Sequence, residues 1–145
     1  MKIISHRGNI KGPDKKIENN PKHILSLLKH YECEVDVWVN NEGIFLGHDK
    51  GEYKINNDFF ISNKLWCHAK NLDAFNFLID ERVNCFFHDK DDFTLVSNRI
   101  IWTYPNKPVC SKSIIVDLDK NWKEKNYNCY GVCVDYILED NIIFL

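Results

Sequence analysis

Four of the six histidines stand at the ends of short apolar runs: His6 behind residues 2–5, His48 behind residues 44–46, His68 within 65–69 and His88 behind 84–87. Beside them fall Arg7, Lys70 and the acids Glu34 and Asp36, which a single valine separates. Imidazole is the side chain that takes up and releases protons near neutral pH. Two carboxylates at i and i+2 of a strand project from one face and repel each other unless a cation lies between them. Oxygen donors of that kind suit a hard divalent ion such as Mg²⁺ or Ca²⁺, with Mn²⁺ a third candidate. An isolated E-x-D is more often a solvated or salt-bridged pair, and one histidine at a strand end means little. Four such histidines, joined by two acids and two cations, make a set able to neutralise an anionic ester, activate a nucleophile and protonate a leaving group.

Elements must bring these residues together. Strand-length apolar runs, rich in β-branched and aromatic residues, recur at 2–5, 33–39, 44–46, 65–69, 84–87, 100–104, 113–116 and 131–136. Between the first two, residues 21–31 predict a helix, with Asn20 as cap, Pro21 at its start and Ile24, Leu25, Leu27 and Leu28 as its apolar face. Residues 72–82 repeat the pattern, with Asn71 as cap and Leu72, Phe75, Leu78 and Ile79 as the face. Strand, helix, strand order predicts parallel βαβ units, and the turn at 40–43 adds a hairpin. The natural closure is a (β/α) barrel, whose strand C-termini carry the site. Eight full units take about 250 residues. A chain of 145 therefore predicts an α/β protein with a reduced (β/α) TIM-type barrel, its later helices shortened or missing.

Composition bounds the rest. Hydrophobic residues make up 44% and charged residues 28%, with a net charge of −2, which is globular chemistry and offers no bulk attraction for nucleic acid. No apolar run approaches the ~20 residues of a membrane span, and the first residues lack a signal-peptide core, so a cytoplasmic location is expected. The six cysteines show no C-x-x-C spacing and sit mostly in apolar runs, as reduced buried thiols do. No linker or repeat divides the chain, and residues 1–145 read as one domain. Residues 121–128 read as an exposed connection. A reduced barrel leaves strand edges that a homodimer would cover.

The same residues resemble the glycerophosphodiester phosphodiesterase family. His6-Arg7-Gly8, Glu18-Asn19-Asn20-Pro21, Glu34-Val35-Asp36 and Gly47-His48-Asp49 follow in the family's order over the first fifty residues. More thinly, His68-Ala69-Lys70 is similar to its Glu-x-Lys strand and residues 131–136 to its final Gly-Val-x-x-Asp-Tyr strand. The resemblance implies a PLC-like phosphodiesterase architecture, with His6 and His48 as acid/base pair, Glu34 and Asp36 as metal ligands, Arg7 and Lys70 as phosphate clamp and Glu18 as a support behind them. His68 stands where the family has a third ligating Glu, a change that favours softer or borderline metals over Ca²⁺. His88 and Asp91 would orient substrate or complete the ligand set, or His88 would simply cap its strand. In place of the family's later half stand residues 91–94 and 102–105, which would shape a different pocket.

The function expected is metal-dependent cleavage of a small glycerophosphodiester-like substrate. Two rivals belong to other classes. One is a non-catalytic domain binding a sugar phosphate or lipid headgroup, against which two retained proton carriers argue. The other is an interaction module displaying Trp102, Tyr104, Trp122 and Tyr127, residues that read more readily as barrel core and loop anchors.

Overall fold

The structure is a computed structural model that describes residues 1–138; the domain expected over 1–145 extends beyond that range. Ten strands form one curled, mixed sheet with few helices. β1 (Lys2–His6) pairs in parallel with β2 (Glu32–Asn40) and with β10 (Gly131–Val134). On one side the parallel set continues from β2 through β5 (Leu65–Ala69) to β6 (Cys85–Phe86). On the other it continues from β10 through β9 (Ser113–Val116) to β8 (Ile101–Thr103).

Hairpins decorate this set. The turn at 40–43 forms as expected, so that β3 (Gly43–Leu46) runs antiparallel to the end of β2, and β4 (Tyr53–Ile55) follows it. β7 (Phe93–Leu95) lies antiparallel to β8. Where the curl would close, no ladder joins β6 to β7 or β8 among the described residues. Single bonds span the seam instead: Ser97 N donates to Cys85 O at 2.9 Å, and Thr94 Oγ1 to Phe87 O at 3.0 Å. Ser97 Oγ also takes the Cys85 N–H at 3.0 Å and gives its proton to Val83 O at 3.2 Å.

Both expected helices form, though shorter: α1 (Pro21–Leu27) and α2 (Leu72–Asp80). Asn20 and Asn71 cap them as read, accepting backbone N–H groups of the first turn. The buried faces differ in part. Ile24, Leu27 and Leu28 pack inward while Leu25 is exposed; in α2 the buried residues are Ala74 and Leu78, and Leu72 and Ile79 face outward. A small residue at 74 lets α2 lie close on the sheet, which turns the stripe away from the largest apolar side chains.

Alternation along the strands divides the interior. Cys33, Val35 and Val37 of β2 point toward the helices, and Glu34 and Asp36 point into the curl. Low in the curl, Ile4, Trp66, Phe86, Trp102, Ile114 and Cys133 form an apolar plug, with Phe86 and Trp102 stacked at 4.4 Å. The later crossovers carry no α-helix. Trp122, from a short 3₁₀ turn (Trp122–Lys125), covers the outer face of β9 and β10 with Ile115, Val132, Val134 and Ile137. Its Nε1 donates to Tyr136 O at 2.6 Å. The stretch read as an exposed connection is therefore anchored by one buried indole.

That burial also takes the two tryptophans out of the docking-patch rival: Trp102 and Trp122 are both 4% exposed, Tyr127 OH is committed to Asp117 Oδ2 at 2.7 Å, and Tyr104 is exposed. The cysteines are free thiols, with Cys33, Cys67, Cys85 and Cys133 buried and Cys110 exposed.

Candidate functional site

Parallel strands end their side-chain ladders at one rim, and this rim gathers the polar residues above the plug. β2 supplies Glu34 and Asp36, both buried. β5 sits in register beside it with His68 opposite Asp36, and Lys70 follows two residues on, on the same face. β1 ends at His6, and β10 ends just before Asp135.

After β1 the chain turns sharply. Arg7 has φ of 55° and Gly8 of 91°, and a Cβ on Gly8 would come within 2.8 Å of Ile24 Cδ1, so only glycine fits. The Arg7 amide donates to Glu34 O at 3.1 Å and to Glu34 Oε2 at 3.2 Å, and Arg7 O accepts the Asn19 N–H. His23, from α1, donates from Nε2 to Gly8 O at 2.8 Å and pins the turn. His48 is carried by Gly47, whose φ of 152° leaves no room for a Cβ beside Lys50 O. Trp38 Nε1 donates to Gly47 O and holds that loop.

Asp36 is the hub. Asn19 embraces it, with Oδ1 accepting the Asp36 N–H at 2.9 Å and Nδ2 donating to Oδ2 at 3.0 Å. Arg7 Nε lies 3.2 Å from Oδ2, while His68 Nδ1 and Lys70 Nζ lie 3.2 and 3.6 Å from Oδ1. Burial would raise the Asp36 pKa, but His68, Arg7 and Lys70 outweigh it and hold the carboxyl below its ordinary range. Glu34 goes the other way: burial first, then the Asp36 charge, keep its carboxyl above the ordinary range.

One imidazole faces the hub. His68 Nε2 donates to His88 O at 3.0 Å, and its Nδ1 faces Asp36 Oδ1, a buried oxygen without an aligned hydrogen bond, at 3.2 Å. That gap takes either a second ring proton or a cation. Ligand atoms of Glu34, Asp36 and His68 all lie within 4.8 Å of one another. Two ligands at right angles, each ~2.1 Å from an ion, are about 3 Å apart. The three residues form a cluster that could hold a divalent ion with mixed oxygen and nitrogen donors.

His6 is oriented from behind. Asp135 Oδ1 accepts from His6 Nδ1 at 2.8 Å, which leaves Nε2 as the free nitrogen. Burial would lower the His6 pKa, but the bond to Asp135 and the charge of Glu34 more than offset it and the value is raised. Asn9 Nδ2 donates to Asp135 Oδ1 at 2.8 Å and to Glu18 Oε1 at 2.9 Å, and Glu18 Oε2 lies 3.7 Å from Arg7 Nη1. Glu18 therefore supports both arms from behind.

His6, Arg7, Glu34, His48, His68, Lys70 and His88 line one cavity of about 340 Å³. His48 stands at its rim, 43% exposed, and donates from Nδ1 to Asp49 Oδ1 at 2.7 Å. Asp91 is not part of this lining: its carboxylate is 65% exposed and 3.9 Å from His88, and Asp89 lines the mouth instead. From the sequence alone no role falls to Asp135, Asn9 or Asn19, although Asn19 and Asp135 stand in the motifs quoted above. Asp135 carried the signal already used for the histidines, a polar residue at the C-terminal end of a strand.

A scan against protein-family models, a search of curated proteins and a search of solved structures each returned no match for this chain. Among the described residues, no helix is long and apolar enough to cross a membrane.

Proposed function

We propose that this chain is a metal-dependent phosphodiesterase on a reduced (β/α) barrel of PLC-like kind, acting on a small glycerophosphodiester-like substrate. The observation that carries the reading is one cavity lined both by an imidazole oriented by a carboxylate, His6 on Asp135, and by Glu34 and His68, which cluster with the buried Asp36 behind them. A phosphodiester is a stable anion, so cleavage needs its charge offset, a nucleophile deprotonated and the leaving oxygen protonated.

Glu34, Asp36 and His68 would hold a divalent ion, Mg²⁺, Mn²⁺ or Ca²⁺, which when bound offsets charge on the phosphate oxygens. Arg7 and Lys70 bring positive charge to the same face. Water attacks phosphorus as His48 takes its proton at Nε2. The bond from phosphorus to the leaving oxygen breaks, and His6, which its raised pKa keeps protonated toward neutral pH, gives that oxygen a proton. The products are a phosphomonoester and an alcohol. A neighbouring substrate hydroxyl in place of water would give a cyclic phosphate.

The test is ³¹P NMR of glycerophosphodiesters incubated with the purified chain, with Mg²⁺, Mn²⁺, Ca²⁺ or EDTA. Metal-dependent appearance of a monoester or cyclic phosphate supports the reading. A folded protein that binds phosphate but turns over no diester with any metal favours the non-catalytic anion-binding domain.

A further inference from the structure

The wall of the cavity that His88 and Tyr104 form beside His68 takes no part in the chemistry just described. His88 stands just past β6 with its side chain nine-tenths buried (9% exposed), yet neither Nδ1 nor Nε2 has a hydrogen-bond partner. The Asp91 carboxylate, 3.9 Å away, is beyond hydrogen-bond reach. Buried polar groups are normally paired, and an exception inside a cavity points to a ligand or water that completes it.

The surroundings define what would complete it. The Tyr104 ring centroid lies 4.7 Å from that of His88, and Trp102, Pro105 and Leu118 continue the wall. Trp102, Tyr104, Pro105 and Leu118 are uncharged and Asp89 stands exposed at the mouth, while the two cations of the lining, Arg7 and Lys70, are both held on Asp36. A second anionic group would find no partner there and would be repelled. A neutral imidazole presents one donor and one acceptor, as a hydroxyl does in return. Aromatic, proline and leucine surfaces suit the flat C–H face of a ring.

We infer that His88 and Tyr104 form a subsite for the alcohol group of the diester, and that it accepts a hydroxyl-bearing ring, a sugar or a cyclitol, in preference to acyclic glycerol. The inference rests on the phosphodiesterase reading for the presence of a phosphate beside the ring. It also gives residues 102–105 the role of shaping the pocket.

Binding separates it from catalysis. The full chain, with Mg²⁺ present, is titrated with glucose 1-phosphate, myo-inositol 1-phosphate and glycerol 3-phosphate by calorimetry. At least one ring ester is expected to bind roughly tenfold more tightly than glycerol 3-phosphate, and which one does so separates sugar from cyclitol. The preference should fall to about two- to threefold in His88→Phe and in Tyr104→Ala, since each removes one part of the wall. Tyr104 is exposed, so that variant keeps the test open should His88→Phe misfold. Equal affinity for all three esters, no binding of any, or a preference unchanged in both variants overturns the subsite. A ring preference that depends on His88 and Tyr104, in a protein that hydrolyses no diester, leaves the subsite standing and defeats the phosphodiesterase reading alone.

Discussion

His6 Nδ1 and Asp135 Oδ1 lie 2.8 Å apart although 129 positions separate them in the chain. β1 and β10 are parallel neighbours in register, so the first and last described strands deliver the two halves of one dyad to the same rim. Asp135 fixes the tautomer and supports the imidazolium. Asp135→Asn is therefore expected to lower the His6 pKa, seen as a shift of its ring resonances in an NMR titration, and to cut turnover. An unshifted His6 titration contradicts the coupling.

The same pair sets a pH signature. The folded pKa of His6 lies above its ordinary 6.5, so the His6–Asp135 bond stabilises fully below that value and its contribution fades as pH rises through the raised one. Asp36 has the opposite sign: held below its ordinary 3.8, it stabilises above that value and the contribution is lost as pH falls toward the folded one. Urea unfolding across pH should show both declines. Asp135→Asn should remove the alkaline one and leave the acidic one.

Glu34 supplies a counterintuitive case. Its buried carboxyl beside Asp36 is costly to ionise, which its raised pKa expresses. Without metal at pH 7–8, Glu34→Gln should raise the melting temperature by a few degrees, since about 1 kcal/mol moves a domain of this size by ~2–4 °C. The glutamine oxygen still accepts the Arg7 amide. The variant should also lose the stabilisation that millimolar Mn²⁺ or Mg²⁺ gives the wild type. A destabilised variant that retains the metal effect contradicts the assignment of Glu34 as a ligand.

Asn19 is 1% exposed, adopts φ of 57° and bonds Asp36 at both its amide and its carboxylate. Removing its side chain leaves a buried N–H and carboxylate oxygen unpaired, and alanine tolerates the positive φ poorly. Asn19→Ala is expected to cost roughly 2–4 kcal/mol in urea unfolding. A cost under about 1 kcal/mol would mean that Arg7, His68 and Lys70 hold Asp36 unaided.

Much of this arrangement was legible because it follows from local pattern. Period-two alternation placed Glu34 and Asp36 on one face, and the asparagine–proline and asparagine–leucine boundaries marked both helix starts. What escaped depended on short or long-range pairing. β4 and β7 are each three residues long, too short for periodicity to register, and Phe93 follows directly on the acidic stretch 89–92. Asn9 and Asn19 act through amides that reach across loops, and nothing in spacing distinguishes such an asparagine from a turn residue. Asp91 was chosen over Asp89 from sequence alone, and only the course of the loop after β6 decides which acid reaches the cavity.

Ser97 is one of the residues that span the seam between β6 and β7, its hydroxyl taking the Cys85 amide and giving to Val83 O. Ser97→Ala should cost about 1–2 kcal/mol and speed hydrogen exchange at Cys85 more than at Cys67. Equal exchange at both amides in the variant would show that the curl closes without this hydroxyl.

The most direct test of the whole account is steady-state hydrolysis of bis(p-nitrophenyl) phosphate over a Mg²⁺ and Mn²⁺ titration, with wild type beside His6→Ala and Glu34→Ala. The account predicts metal-dependent turnover that falls roughly 10²–10⁴-fold in His6→Ala and, in Glu34→Ala, no longer rises with metal. Turnover indifferent to metal, or equal in all three proteins, would contradict it.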